Sequence, residues 1–175
     1  MIDAPGRKEP RFPPHKEAAV RLRIAQQLER WNAGAQGLGI CGCACGSDIL
    51  FAEACLERGA RVLLLIALPE DVFLEKSVRF ADADWEARYR ALRAKCDTRF
   101  QHEALGAIAE DEDAFERNNL WCLHTAYALA PPDRVDTILV WDEKPAGDGA
   151  GGTSHFASRV AEAGGRVAVV NPLAL

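Results

Sequence analysis

Apolar residues along this chain fall into short blocks with two kinds of spacing. Ala18, Leu22, Ala25 and Leu28 recur at three- and four-residue steps, which predicts a helix with one buried face from Pro14 to about Trp31. Proline suits the first turn of such a helix, where its missing N–H would have no intrahelical partner. Gly34 and Gly37 end the pattern, and Leu38–Cys41 reads as a short apolar strand. Ser47 or Asp48 then caps a helix that turns Ile49, Ala52 and Leu56 inward and stops at Arg58-Gly59. Arg61 to Leu68 is a run of Val, Leu and Ile without polar alternation, the pattern of a strand covered on both faces.

The second half repeats the alternation. Helices are expected at about Val72–Phe80 and Trp85–Lys95, then a weaker strand near Thr98–Phe100. The acidic stretch Glu110 to Asp113 leads into a helix from about Ala114 to Ala130, closed by Pro131-Pro132. Thr137 to Trp141 reads as a second buried strand, Ser154 to Ala163 as a helix, and Arg166 to Val170 as the last strand. The first fourteen residues hold Pro5, Pro10, Pro13 and Pro14 and form a loop. Strand and helix alternating throughout predict an α/β fold, a parallel sheet of about five strands with helices on both faces. With 175 residues the chain fits one domain, 1–175.

Composition narrows the function classes. The net charge of −5, with Lys and Arg scattered, argues against a general nucleic-acid binder. The longest apolar run, Val62 to Leu68, is too short to span a membrane, and no basic-then-apolar leader opens the chain, so a cytoplasmic protein is expected. Six cysteines include the alternating Cys41, Cys43 and Cys45. They lack the paired spacing of a structural zinc site, and read as reduced, mostly buried thiols. Neither a metal nor a tightly held cofactor is called for.

Candidate chemistry gathers in two glycine-rich turns, each between a strand and a helix. In parallel α/β folds, ligands bind beyond the carboxyl ends of the strands. The first turn is Gly42–Asp48. Its glycines permit close approach of the backbone, and the following helix offers free N–H groups and a positive dipole end. Asp48 at that end either caps the helix or accepts a hydrogen bond from a ribose hydroxyl, since an ionised carboxylate only accepts. The second turn, Gly147–Thr153, has four glycines in six positions and nothing acidic at its helix start, and so reads as the better anion cradle.

Several of these residues resemble a known family. Ala44 to Ala54, Glu57-Arg58-Gly59-Ala60 and a strand ending Leu68-Pro69 are similar to the first half of the SLOG superfamily. These are Rossmann-like proteins related to the Lonely guy phosphoribohydrolases and to the DNA-processing protein A. Arg117-Asn118, Ile138 to Asp142 and Gly151-Gly152-Thr153 resemble the second half. Met1-Ile2-Asp3-Ala4-Pro5 with Arg11-Phe12-Pro13 resembles a loop in one bacterial branch, which includes domains joined to cyclases or helical repeats. The likeness implies a nucleotide-like ligand with Arg117 near a phosphate and Asn118 near a base or ribose. Two departures stand out. The phosphoribohydrolases carry a catalytic glutamate where this chain has Phe156, and relatives begin with a strand, central in the sheet, ahead of the Met1-Ile2-Asp3 loop.

The expected role is therefore a sensor or signalling module that binds a nucleotide-derived ligand through Gly42, Gly46, Ser47, Asp48, Arg117, Asn118, Asp142, Gly151, Gly152 and Thr153. The alternative is a nucleotide N-glycosidic bond hydrolase or transferase, with Asp48, Glu53 or Asp142 as its carboxylate. A vestigial pocket on an interaction domain is the third reading, and a homo-oligomer is compatible with all three. Glu53 also reads as a helix-edge residue, and His155 lies nearest the second turn.

Overall fold

The computed structural model describes residues 1–81, 84–143 and 153–175. Its helices are α1 (Glu17–Arg30), α2 (Ser47–Glu57), α3 (Glu70–Ser77), α4 (Trp85–Arg93), α5 (Gln101–Leu105), α6 (Ala114–Leu129) and α7 (Thr153–Glu162). The strands are β1 (Leu38–Cys41), β2 (Arg61–Ile66), β3 (Asp97–Phe100), β4 (Thr137–Val140) and β5 (Val167–Val170). Strands and helices follow in the order the periodicity predicts, with one short helix, α5, added between β3 and α6.

All strand pairing is parallel, but the expected single sheet of about five strands is not what forms. β1, β2 and β3 make one sheet in that order, and β4 and β5 make another. Ile40 lies opposite Leu63 and Leu64 opposite Thr98, while Leu139 lies opposite Val169. A hydrophobic pattern identifies strands but says nothing of which edges meet, and the inner edges of β1 and β4 have no strand between them among the described residues. Burial follows from this split. After its first residue β2 is buried throughout, as the apolar run predicts, whereas β4, expected to be buried, has only Leu139 fully covered.

One hydrophobic cluster nevertheless runs from Ile2 to Val170. On one side α1 turns Val20, Ile24 and Leu28 inward, packing on α2 and also on β4 and β5. On the other, α6 lies on β1 and β2 and meets α7. Asp113 caps α6, its carboxylate accepting from the N–H groups of Phe115 (2.9 Å) and Glu116 (2.8 Å).

The proline-rich start is ordered by its own polar groups. Asp3, only 5% exposed, accepts hydrogen bonds at Oδ2 from the N–H of Arg11 (2.9 Å) and of Phe12 (3.0 Å). Its own N–H donates to the Phe12 carbonyl (2.9 Å). The loop so closed reaches both half-sheets. The Ile2 N–H donates to the Cys45 carbonyl beyond β1 (3.1 Å), and the Arg11 guanidinium grips Asp142 beyond β4 at 3.0 and 3.1 Å.

Candidate functional site

The first glycine turn lies at the carboxyl end of β1, where the fold leads one to look. It does not form as a simple capped helix start. Gly46 is the N-cap residue, with φ 92°, and no side chain caps α2. Ser47 and Asp48 instead lie within the first turn, and Asp48 bends back over the loop. Its Oδ2 accepts from the Ala44 N–H (3.2 Å), and its Oδ1 accepts from the Ser47 hydroxyl (3.4 Å). Burial raises the Asp48 carboxyl above its ordinary range, against the lowering pull of the N-terminal ammonium and of the Ala44 and Gly42 N–H groups.

Gly42 marks the point of convergence. A β-carbon there would lie 3.1 Å from Asp48 Oδ2, 3.5 Å from Asn118 Nδ2 and 3.8 Å from the Leu65 carbonyl oxygen. Asn118, 5% exposed on α6, donates from Nδ2 to that carbonyl at 2.9 Å. The reason lies in the register. Arg61 N–H bonds to the Gly37 carbonyl, so alternation turns the main chain of Arg61, Leu63 and Leu65 toward β1. β1 ends at Cys41, opposite Leu64, so Leu65 points past its end and an amide side chain takes the place of the next strand N–H. Behind Asn118 stands Gln101, whose Nε2 donates to the Ala114 carbonyl (3.0 Å) and to Asn118 Oδ1 (3.4 Å). Gln101 Oε1 is buried with no partner among the described residues. Gln101 was not legible as a site residue, because nothing in its sequence neighbourhood shows that β3 delivers it beneath α6.

The turn carries local strain. Cys43 is buried in the left-handed region (φ 62°), and Glu143, in the corresponding place after β4, is left-handed as well (φ 59°). Such a conformation is uncommon for a residue with a β-carbon, and it clusters at sites where a loop must be held in one shape. The six cysteines are free, and burial raises the thiols of Cys41, Cys43, Cys45, Cys55, Cys96 and Cys122 above their ordinary range.

Not every residue singled out in the sequence comes to this point. Gly42, Ser47, Asp48 and Asn118 do. Gly46 has another task, since a β-carbon there would lie 2.5 Å from the Ile2 nitrogen, so the glycine makes room for the N-terminal residues. Arg117 holds the loop before α6, donating to the carbonyls of Leu105 (2.7 Å), Gly106 and Ala107 (both 3.2 Å). The Asp142 carboxylate, 1% exposed, is engaged by Arg11. Glu53 sits five residues along α2 from Asp48, on a different face, where Arg88 binds it bidentately at 2.8 and 2.6 Å. Arg88 also pairs with Glu17 (2.7 Å) and lies over the Trp85 ring, 4.2 Å from its centre. Thr153 opens α7, whereas Gly147 to Gly152 and the side chain of His155 lie outside the described residues.

A hollow of about 550 Å³ between α1, α2 and α4 is lined by Glu17, Glu53, Arg88 and their neighbours. Its charges are largely paired with one another, so it offers little unspent chemistry. No protein-family model, curated protein or solved structure matches the chain.

Proposed function

We propose that this protein binds a nucleotide-derived ligand at the carboxyl end of β1 and acts as a sensor or signalling module. On this reading the fold is Rossmann-like and of the SLOG type. The observation that carries the proposal is the convergence at Gly42 of the Asp48 carboxylate, the buried Asn118 amide and the start of a helix that no side chain caps. Backbone N–H groups there suit a phosphate, and Asp48 suits a ribose hydroxyl. A thermal-shift panel of AMP, NAD and ADP-ribose at about 1 mM tests it. A ligand with a dissociation constant near 10 μM would add about 2.7 kcal/mol of stability, a shift of several degrees. No shift with any member, from folded protein, refutes the reading. Gly42→Val should abolish the response by filling the convergence point.

A second reading, cleavage of an N-glycosidic bond, rests on one carboxylate. Arginines hold Glu53 and Asp142. Asp48 is the remaining candidate, and burial shifts its carboxyl upward, the direction that favours a general acid. Base release from a nucleotide, lost in Asp48→Asn, supports this reading. Intact nucleotides after long incubation at high protein concentration exclude it.

A further inference from the structure

The outer edge of β3 is open among the described residues. In β2 the main chains of Arg61, Leu63 and Leu65 turn toward β1, so by alternation those of Val62, Leu64 and Ile66 turn toward β3. Leu64 lies opposite Thr98, and in a parallel ladder it bonds to the two neighbours of that residue, Asp97 and Arg99. Thr98 and Phe100 therefore aim their N–H groups outward, away from β2. Among the described residues nothing bonds to the main-chain N–H or C=O of Thr98, or to the N–H of Phe100. The Cys96 N–H is spent on the Leu92 carbonyl (2.9 Å), which closes the open stretch at its amino end.

Side chains along this edge divide between the two faces of the sheet. Arg93 of α4 lies over the Phe100 ring, 5.1 Å from its centre, so Thr98 and Phe100 face α4. Asp97 and Arg99 face the other side, where Gln101 meets the Ala114 carbonyl of α6. On that side α6 rests on β1 and β2, and both Asp97 and Arg99 are exposed. Neither has an ion-pair partner among the described residues. Apolar surface stands beside the carboxyl end of the strand. Leu105, one helical turn past Gln101, is 42% exposed, and Phe115, next to Ala114, is 40% exposed.

We propose that this edge pairs with β3 of a second copy of the chain, antiparallel and centred on Thr98, joining two three-stranded sheets across a two-fold axis. Charge complementarity argues for this occupant. Pairing about Thr98 sets Asp97 opposite Arg99 of the second copy, and Arg99 opposite its Asp97. Both are non-hydrogen-bonded positions, where Cα atoms lie about 4.5 Å apart and side chains come closest. The two Thr98 residues exchange N–H···O bonds, and each Phe100 N–H reaches the Cys96 carbonyl of the other copy. Charges on an edge strand usually guard it against pairing. Here they alternate in sign. They oppose a parallel neighbour in register, which sets like against like, and match their own antiparallel copy. Such a contact uses the same edge of both chains and closes at two.

Sedimentation equilibrium of the full chain from about 1 to 500 μM tests the proposal, a range suited to the moderate affinity of so short an edge. The mass should rise toward twice that of one chain. Asp97→Arg and Arg99→Asp each set like charges opposite one another at both positions. Each should raise the dissociation constant about tenfold or more, with an unchanged urea midpoint as the control for folding. An equimolar mixture of the two variants restores opposite charges at both positions and should dimerise about as well as the parent. Amide exchange at Thr98 and Phe100 should slow in step with the dimer fraction. A parent that stays monomeric throughout the range overturns the proposal. So does a dimer that either variant leaves intact, or one that leaves exchange at Thr98 unchanged. Two monomeric variants that fail to dimerise when mixed overturn the antiparallel pairing itself.

Discussion

Replacing Asn118 by Ala removes the only side-chain donor the Leu65 carbonyl has among the described residues. The bond is short, at 2.9 Å, and both partners are buried, with Leu65 at 0% and Asn118 at 5% exposure. A neutral hydrogen bond is worth about 0.5–1.5 kcal/mol net, and a buried carbonyl left without a partner costs about 1–3 kcal/mol. Gln101 loses its 3.4 Å contact but keeps the Ala114 carbonyl, so its share is small. Together these give a loss of about 2–3 kcal/mol, or roughly 5–10 °C in Tm for a chain of this size. Urea unfolding should show a lower midpoint with an unchanged slope, since the surface exposed on unfolding is the same. Asn118→Asp keeps the shape and sharpens the test. At neutral pH it sets a carboxylate against a carbonyl oxygen and should be less stable than Asn118→Ala. At low pH the protonated acid can donate, and the gap should narrow. An Asn118→Ala protein within about 0.5 kcal/mol of the parent, or an Asn118→Asp protein equal to the parent at pH 7, refutes the claim that this amide completes the strand end.

Other outcomes follow from the same geometry. Because the folded Asp48 pKa lies above its ordinary 3.8, its contribution to stability is fully present below pH 3.8 and fades as pH rises through the folded value. Melting curves across pH should therefore show Asp48→Asn gaining on the parent with rising pH, and parallel profiles would refute the shift. Glu53→Gln should cost no more than about 1 kcal/mol, less at high salt, and leave any ligand-induced shift intact, because Glu53 lies in a partly exposed ion cluster away from Gly42. Arg11→Ala should cost about 2–3 kcal/mol by leaving the Asp142 carboxylate buried without its bidentate partner, read by urea unfolding. Gly165→Ala should be expressed poorly or lose more than about 3 kcal/mol, since a β-carbon would collide with the Val135 carbonyl and lie 2.8 Å from Val160 Cγ1. Gly106→Ala, with open space but φ of 78°, should cost only about 1 kcal/mol.

Local pattern carried the elements and stopped where distant residues decide. The run Val62 to Ile66 reads as a doubly covered strand because burial on both faces leaves no polar alternation, and β2 is so covered. Helical spacing placed Leu28 inward on α1, but Leu22, on the same predicted stripe, is 57% exposed while Val20 and Ile24 are buried, a small rotation of the face. Asp48 read equally well as a cap, and only the approach of Gly42 and Asn118 shows that it folds back over the turn. Glu53 could not be sorted from its neighbours alone, since its partner Arg88 lies 35 residues on. Arg117 was expected near a phosphate, and its bonds to three loop carbonyls were not legible because those carbonyls carry no sequence signature. The break between β1 and β4 has no signature in the apolar pattern, for pairing is a property of the assembled chain, and only the family resemblance, whose members carry a further central strand, pointed toward it.

The thiols of the first turn have a use apart from any ligand. Cys43 and Cys45 are fully shielded, and burial holds both largely as protonated thiols, which react slowly because the thiolate is the nucleophile. A thiol reagent can therefore modify them only during moments when the turn comes apart. Reaction rates at these two positions become a clock on the opening of the first turn. That clock needs no label and no foreign residue, and it separates motions of this corner from unfolding of the whole.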